Sequence, residues 1–252
     1  MAAEVQGTTC YHNWVAQQRA DLEELSQALL RDADDEHKLR LVVDKCLEHY
    51  RDYTAQRLEL SEEDAPSLVC PVWCSSYESS FMWLAGCRPS MGIRLLYALS
   101  GTQLQAQLEE YLSGVRRGNL GELSVGQLNT VNELHMRTVR EEENLSDRMA
   151  NLQEDVADEP LVSITADGAG GSSSLDELDG AMDAHACTYG KILEDADKLR
   201  LNTLTNLVGI FTPRQAVDFL IASKKLHLSI SEWGKRRHSR KLANPNLCMG
   251  HC

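Results

Sequence analysis

The chain is poor in aromatic residues, in proline and in positive charge. Of its 252 residues, 6% are aromatic and 6 are proline, and 25 Lys and Arg stand against 38 Asp and Glu. The net charge of −13 argues against a surface that binds nucleic acid non-specifically, because such binding needs clustered cations. With 42% hydrophobic and 25% charged residues, the composition is that of an ordinary globular protein with ample material for a core.

Cysteine and long apolar runs are scarce as well. Eight cysteines in a chain of this length are too dilute for a disulfide scaffold. The first residues have no apolar segment typical of a signal peptide, no apolar run approaches the length of a membrane span, and no cysteine stands fourth from the end, where prenylation would need it. We therefore expect an intracellular protein of a reducing compartment, with free thiols and no membrane partner.

No stretch carries the pattern of a known catalytic or metal site. A nucleophile elbow, a phosphate-binding loop and a zinc-protease helix are all missing, so we expect no enzyme activity and no catalytic residues. Cys70 and Cys74 could form half of a zinc site only if Cys248 with His251 or Cys252 folded back to complete it. Incidental thiols are the favoured interpretation, and we expect no metal.

Apolar residues recur at helical spacing through nearly the whole chain, which predicts an all-α fold, an antiparallel bundle of long helices joined by short connectors. The run 32–36 separates the first two helices. A long helix is expected to end near Ala157 and another near Gly209. The last is expected from Thr212 to about Arg237, with Phe219 and Leu226 among its inward residues. The segment 161–164 is the one brief strand-like stretch, and 166–174 reads as a flexible loop.

Four capping boxes announce helix starts. In such a box a Ser or Thr and the Glu or Gln three residues later satisfy each other's free backbone N–H groups. The pairs are Ser75 with Glu78, Ser124 with Gln127, Ser174 with Glu177, and Thr212 with Gln215, the last with Pro213 at the first helical position.

Residues 75–90 predict a helix with an apolar core, then an abrupt break into a second helix. We expect Trp83 to be buried together with Phe81, Leu84 and Leu95, and Arg88 to bind a helix end or a carboxylate.

The basic run Lys235, Arg236, Arg237, Arg240 and Lys241 contrasts with the acidic remainder of the chain. It could be a nuclear localisation signal, a site for an acidic partner or a nucleic-acid contact. Alternatively, these are cations at a helix C-terminus that offset the helix macrodipole.

Three segments together resemble the plant delay-of-germination domain family. They are the opening residues 10–18, the pattern Glu78, Trp83, Gly86, Arg88, Pro89, Ser90, and the C-terminal stretch from Phe211 to Gly234. The resemblance covers residues 8–238 and leaves 239–252 as a basic, flexible tail. The same domain forms the C-terminal part of the TGA class of basic-leucine-zipper transcription factors. This chain is more similar to the stand-alone dormancy regulators.

The resemblance implies a non-enzymatic regulator of seed dormancy and abscisic-acid signalling. In that family, clade A type 2C protein phosphatases bind an N-terminal segment, which maps here to Cys10, Tyr11, His12, Asn13 and Trp14, with Asn13 in place of an acidic residue. The family also implies haem binding by two histidines four residues apart. His227 matches the first, and Ser231 replaces the second.

Two other functions remain open on the same resemblance. One is a transcriptional cofactor that pairs with zipper proteins, with direct DNA binding doubtful, and the other is a haem sensor. The resemblance further implies self-association as a homodimer and a location in the nucleus, with the cytoplasm as a second location.

Overall fold

The computed structural model describes residues 2–115, 117–157 and 172–243, and within these ranges the chain is helical with no β-strand. Two three-residue 3₁₀ turns, Leu120–Glu122 and Asp155–Ala157, flank the sixth helix. The helices are α1 (Ala2–Arg31), α2 (Glu36–Val69), α3 (Ser76–Ser79), α4 (Ser90–Ala106), α5 (Leu108–Leu112), α6 (Val125–Glu154), α7 (Ser172–Ile210) and α8 (Pro213–Ala243). The all-α prediction is confirmed.

The helix starts follow the local sequence. The boxes at Ser75, Ser124 and Thr212 each show both reciprocal hydrogen bonds, and Pro213 opens α8 as expected. The box at Ser174 is wrong as a helix start, because α7 already begins at Ser172; the side chains of that box lie outside the described part. The strand-like segment 161–164, residues 166–171 of the expected flexible loop 166–174, and the tail from residue 244 also lie outside it. Residues 172–174 of that loop are helical, so this part of the loop prediction is wrong.

Contacts at both ends of each pair show that neighbouring long helices run antiparallel. In α1 and α2, Trp14 meets Tyr53 and Glu24 meets Lys45, so residue numbers fall along one helix as they rise along the other. The same relation holds for α1 with α8, for α6 with α7, and for α2 with α7, where Arg57 meets Asp197 and Ser61 lies beside Gly190. The predicted antiparallel bundle is therefore confirmed.

Three apolar clusters of the described residues fill the bundle, the smallest of them formed by Tyr11, Val15 and Leu228. The largest joins α1, α2, α4, α6, α7 and α8 around Leu25, Val43, Ile93, Leu207 and Phe219. The second packs α2, α6 and α7 around Leu60, Leu145, Met149, Ile192 and Leu193. Burial of this kind contributes roughly 25 cal/mol per Å² of apolar surface, so the helices depend on their packing more than on intrinsic propensity.

Several local expectations are wrong. Residues 81–86 are not helical, Phe81 is 44% exposed, and Trp83, Leu84 and Leu95 are half-buried. Leu226, expected to point inward, is 41% exposed. The last helix continues past Arg237 to Ala243.

Candidate functional site

The pattern from Trp83 to Ser90 forms a tight turn between α3 and α4. Trp83 N donates to Gly86 O at 2.7 Å, and Gly86 N donates back to Trp83 O at 3.2 Å. Between them, Leu84 and Ala85 have φ of +45° and +62°, a left-handed conformation that costs a non-glycine residue about 1–2 kcal/mol. The surrounding structure must stabilise this turn.

Arg200 of α7 holds the turn through its carbonyl groups. Its guanidinium donates to the backbone oxygens of Trp83, Leu84 and Cys87, the last two at 2.7 Å, and lies 5.4 Å from the Trp83 ring centroid. A Cβ at Gly86 would lie 2.8 Å from the Arg200 Nε, so only glycine admits the guanidinium this close. We call residues 83–87 the clamped turn.

A second arginine and one carboxylate complete the clamp. Arg57 of α2 donates to the Ala85 oxygen at 2.9 Å and to Asp197 Oδ2 at 2.8 Å. Asp197 Oδ1 accepts from Arg200 at 2.6 Å. Because Asp197 pairs with both arginines and orients them, the turn joins α2 to α7 through one buried polar network.

Glu142 of α6 anchors the other side of the motif. Its carboxylate accepts from the Ser90 backbone N–H at 2.6 Å and from the Ser90 hydroxyl at 2.9 Å, which satisfies the N-terminus of α4. Arg88 pairs with the same carboxylate at 3.2 Å, so the expected contact of Arg88 with a carboxylate is confirmed. Pro89 stands at the N-cap position with φ −56°, where its missing N–H costs nothing.

Glu78 links α3 to α1. It closes the capping box with Ser75, and its other oxygen accepts a short hydrogen bond from the Tyr11 hydroxyl. Burial opposes ionisation of Glu78, but the hydrogen bonds from Tyr11 and Ser75 outweigh it and hold the pKa below its usual value. All six motif residues thus have structural contacts in this region: Glu78, Trp83, Gly86, Arg88, Pro89 and Ser90.

The N-terminal partner segment lies within α1, with most of its side chains turned inward. Cys10, Tyr11 and Trp14 are buried, and Trp14 stacks on Tyr53 with ring centroids 4.2 Å apart. Of these five residues, only His12 and Asn13 are exposed, and partner binding at the segment stays a prediction.

A buried charged cluster, which the sequence analysis missed, lies directly behind Trp14. Lys224 of α8 is 0% exposed and its ammonium lies 2.8 Å from Asp21 Oδ2 and 3.1 Å from Gln18 Oε1. The ammonium also lies 4.8 Å from the Tyr50 ring centroid. Nothing in the sequence distinguishes Lys224 from its neighbour Lys225, so the burial of Lys224 could not be predicted.

His227 is half-buried on α8, four residues before the buried Ser231. Burial lowers the pKa of His227, which keeps the imidazole neutral and able to act as a ligand. A hydroxyl at Ser231 does not supply the second imidazole of a bis-histidine haem site. The donor set therefore does not fit such a site.

The basic run forms the last described turns of α8. Lys235, Arg236, Arg237 and Arg240 are all exposed, and Arg237 lies 5.7 Å from the Trp233 ring centroid and 5.8 Å from that of Tyr77. The side chain of Lys241 lies outside the described part of the chain.

Metal ligands do not converge in the described ranges. No group of three or more His, Cys, Asp or Glu side chains there could hold an ion, and Cys70 and Cys74 are free thiols. Burial raises the pKa of the Cys74 thiol to about 12, so it is unreactive at neutral pH. Cys248, His251 and Cys252 lie beyond the described residues. None of the helices in residues 2–115, 117–157 and 172–243 has the length and apolar character to cross a membrane.

Comparison with known proteins finds a family and several relatives that this chain resembles in sequence. A family model described as "DOG1: Seed dormancy control" matches residues 21–98. Protein DOG1-like 3 of Arabidopsis thaliana is 35% identical over 242 residues, which cover 92% of this chain and 85% of that protein. Protein DOG1-like 2 of Arabidopsis thaliana is 36% identical, over 90% of this chain and 89% of its own length.

A more distant similarity extends to transcription factors. Transcription factor TGA2 of Arabidopsis thaliana is 28% identical over 84% of this chain and 58% of its own length. The match leaves a large part of that protein without a counterpart in the aligned region.

Proposed function

This chain belongs to the DOG1 seed dormancy control family, and we propose that it is a non-enzymatic regulator of seed dormancy and germination that acts by binding other proteins. The observation that carries the proposal is the 35% identity to Protein DOG1-like 3 over 92% of the chain. The fold supports it, because the buried charged residues Arg57, Glu142 and Lys224 hold helices together.

We further propose clade A type 2C protein phosphatases as the partners, in abscisic-acid signalling and in the nucleus. The proposed contact is residues 10–14, through the exposed His12 and Asn13. Trp14 and Tyr11 have an indirect role here, since they fix α1 against Tyr53 and Glu78.

Binding of purified chain to recombinant clade A phosphatases tests this proposal. We expect the wild type to bind, and a His12→Ala/Asn13→Ala variant to bind at least about tenfold more weakly, a loss of about 1.4 kcal/mol. Gln105→Ala, a change at an exposed residue of α4, is the matched control and should bind like wild type. Absence of wild-type binding to every clade A member would reject the phosphatase proposal.

Trp14→Ala does not serve as the test variant, because the indole is buried in the core. Removing it creates a cavity, which costs about 3–5 kcal/mol for a Trp. Loss of binding in that variant would report unfolding as readily as a lost contact.

A second candidate is a transcriptional cofactor, which the similarity to Transcription factor TGA2 favours. In this proposal the chain pairs with zipper transcription factors or with a second copy of itself. Co-purification with TGA-class factors and a DNA-shift assay with the purified chain distinguish pairing from direct DNA contact.

A further inference from the structure

The C-terminal turns of α8 project from the body as a cationic helix end. Residues 235–240 are exposed at every position, so solvent surrounds this stretch on all faces of the helix. The helix is fixed just before it, where Ser231 and Gly234 are buried. A Cβ at Gly234 would overlap the Ser75 hydroxyl, so the close approach of α8 to the start of α3 requires glycine there.

The positive charge of this helix end is uncompensated along the helix. The preceding acidic residue, Glu232, is 3.2 Å from Arg19 of α1, and no acidic residue follows it through Ala243. Five of the 25 basic residues lie in 235–241, which leaves 20 basic against 38 acidic residues elsewhere, a charge of −18. The helix end is therefore a local positive region on a negative protein.

Exposed aromatic rings adjoin these cations. Phe81 and Trp233 are 44% and 41% exposed, and the Tyr77 ring lies between them, 4.9 Å from Phe81 and 4.0 Å from Trp233 by ring centroid. The Arg237 guanidinium lies 5.8 Å from the Tyr77 ring centroid and 5.7 Å from that of Trp233, so it joins the rings to the charges. We call this surface the aromatic–cationic patch, formed by Tyr77, Phe81, Trp233, Arg236, Arg237 and Arg240, whose α8 members share a helix face.

The chemistry of the patch selects its occupant. Arg and Trp are the residues that most often carry binding energy at protein interfaces, where charge complementarity steers the partner. A long polyanion such as duplex DNA would extend from the patch over the acidic body, which repels it. A short acidic segment would be attracted by the cations of the patch, because salt at physiological concentration screens charges that lie more than about 8 Å away.

We propose that the aromatic–cationic patch is a docking site for a short acidic segment of a partner protein, with an apolar residue of that segment against Phe81 and Trp233. This site differs from residues 10–14 and does not depend on the phosphatase proposal. It assigns an acidic partner to the basic run. It also gives a binding role to Phe81 and Trp233, which are exposed and do not belong to the core.

A short fluorescein-labelled peptide of Glu and Asp with two central Leu residues is a direct probe, with the same peptide in Gln and Asn as its neutral counterpart. Fluorescence anisotropy with the full chain should show binding of the acidic peptide alone, weakened at about 1 M salt, where screening acts over about 3 Å. We expect Arg236→Gln/Arg240→Gln and Trp233→Ala each to weaken binding about tenfold.

Matched controls separate the patch from general charge or apolarity. Arg94→Gln removes an exposed cation of α4, and Met136→Ala removes a 66% exposed apolar side chain of α6. Both should bind the peptide like wild type. Circular dichroism checks that the patch variants, whose altered side chains are exposed, retain the helical fold.

Three outcomes would overturn the proposal. The first is no binding of the acidic peptide, or equal binding of the neutral one. The second is tighter binding of a short duplex DNA that the same variants abolish, which would make the patch a nucleic-acid contact. The third is self-association in sedimentation velocity that the same variants abolish, which would assign the patch to a second copy of the chain.

Discussion

Lys224 and Asp21 form an ion pair in the centre of the bundle, with 2.8 Å between Nζ and Oδ2 and with both side chains almost fully buried. His49 adds a contact to the other Asp21 oxygen at 2.8 Å. Burial opposes the charge on Asp21, but the Lys224 charge and hydrogen bonds outweigh it and lower the pKa of Asp21. The pair fixes α8 against α1 at one register.

Removing one member of this pair should strongly destabilise the fold. Lys224→Met leaves a buried carboxylate without its main partner, which costs about 3–5 kcal/mol of unfolding free energy. Urea denaturation of Lys224→Met, Asp21→Leu and the double variant measures this. We expect the double variant to lose much less than the sum of the two, whereas additive losses would contradict the coupling.

The exposed pair Lys45 and Glu24 is the matched control, at the same 2.7–2.9 Å separation but half-exposed to solvent. Lys45→Met should change the unfolding free energy by about 0–1 kcal/mol. A loss as large as that of Lys224→Met would mean that burial does not decide the effect.

A methyl group at Gly86 should disrupt the clamped turn. Gly86→Ala places Cβ 2.8 Å from Arg200, so the guanidinium must shift and lose part of its hydrogen bonding to the carbonyls that it holds. Each lost hydrogen bond from a charged group is worth about 1.5–3 kcal/mol, so we expect a loss of that order in urea denaturation. Gly101→Ala in α4 is the control: nothing lies within 4 Å of its Cβ, and it should gain roughly 0.5–1 kcal/mol.

Glu142 should matter far more than its neighbour Glu143. Glu142→Gln removes the charge that satisfies the start of α4 and pairs with Arg88, and we expect a loss of about 1.5–3 kcal/mol in thermal or urea unfolding. The exposed Glu143→Gln should stay within about 0.5 kcal/mol of wild type. Equal effects of the two changes would contradict the anchoring role of Glu142.

Local sequence predicted the helices well because their ends are decided locally. The capping boxes at Ser75, Ser124 and Thr212 depend on residues three positions apart, which any reader of the sequence can pair. The clamped turn could not be predicted this way. Its left-handed residues are held by Arg57 and Arg200, which lie 28 and 116 residues from the carbonyls of Ala85 and Leu84.

The same reason explains the errors at Phe81 and in the N-terminal segment. Apolar residues 81–84 have helical composition, yet the hydrogen bonds between Trp83 and Gly86 bend the backbone into a turn and leave Phe81 exposed. Family resemblance marked residues 10–14 as a binding segment. The tertiary contacts of Trp14 and Tyr11 show that its aromatic members are packed inside the protein.

Haem binding through His227 remains a prediction. Only one imidazole of the expected pair is present to bind the iron, so we expect any binding to be weak. If haem binds, a Soret band should appear on titration and be lost in His227→Ala. A Soret band that His227→Ala leaves unchanged would place the ligand elsewhere.

His227 should make the fold less stable as the pH falls below neutrality. Burial keeps its folded pKa below the ordinary value of 6.5, so below that pH the unfolded chain binds a proton that the folded chain does not. The contribution of His227 to stability is therefore complete above pH 6.5 and is lost as the pH falls from there through the folded pKa, at no more than about 1.4 kcal/mol per pH unit.

Urea denaturation at a series of pH values from neutral to mildly acidic should give a shallower pH dependence of the unfolding free energy for His227→Gln than for wild type. An unchanged slope in His227→Gln would show that this imidazole is not the group that titrates.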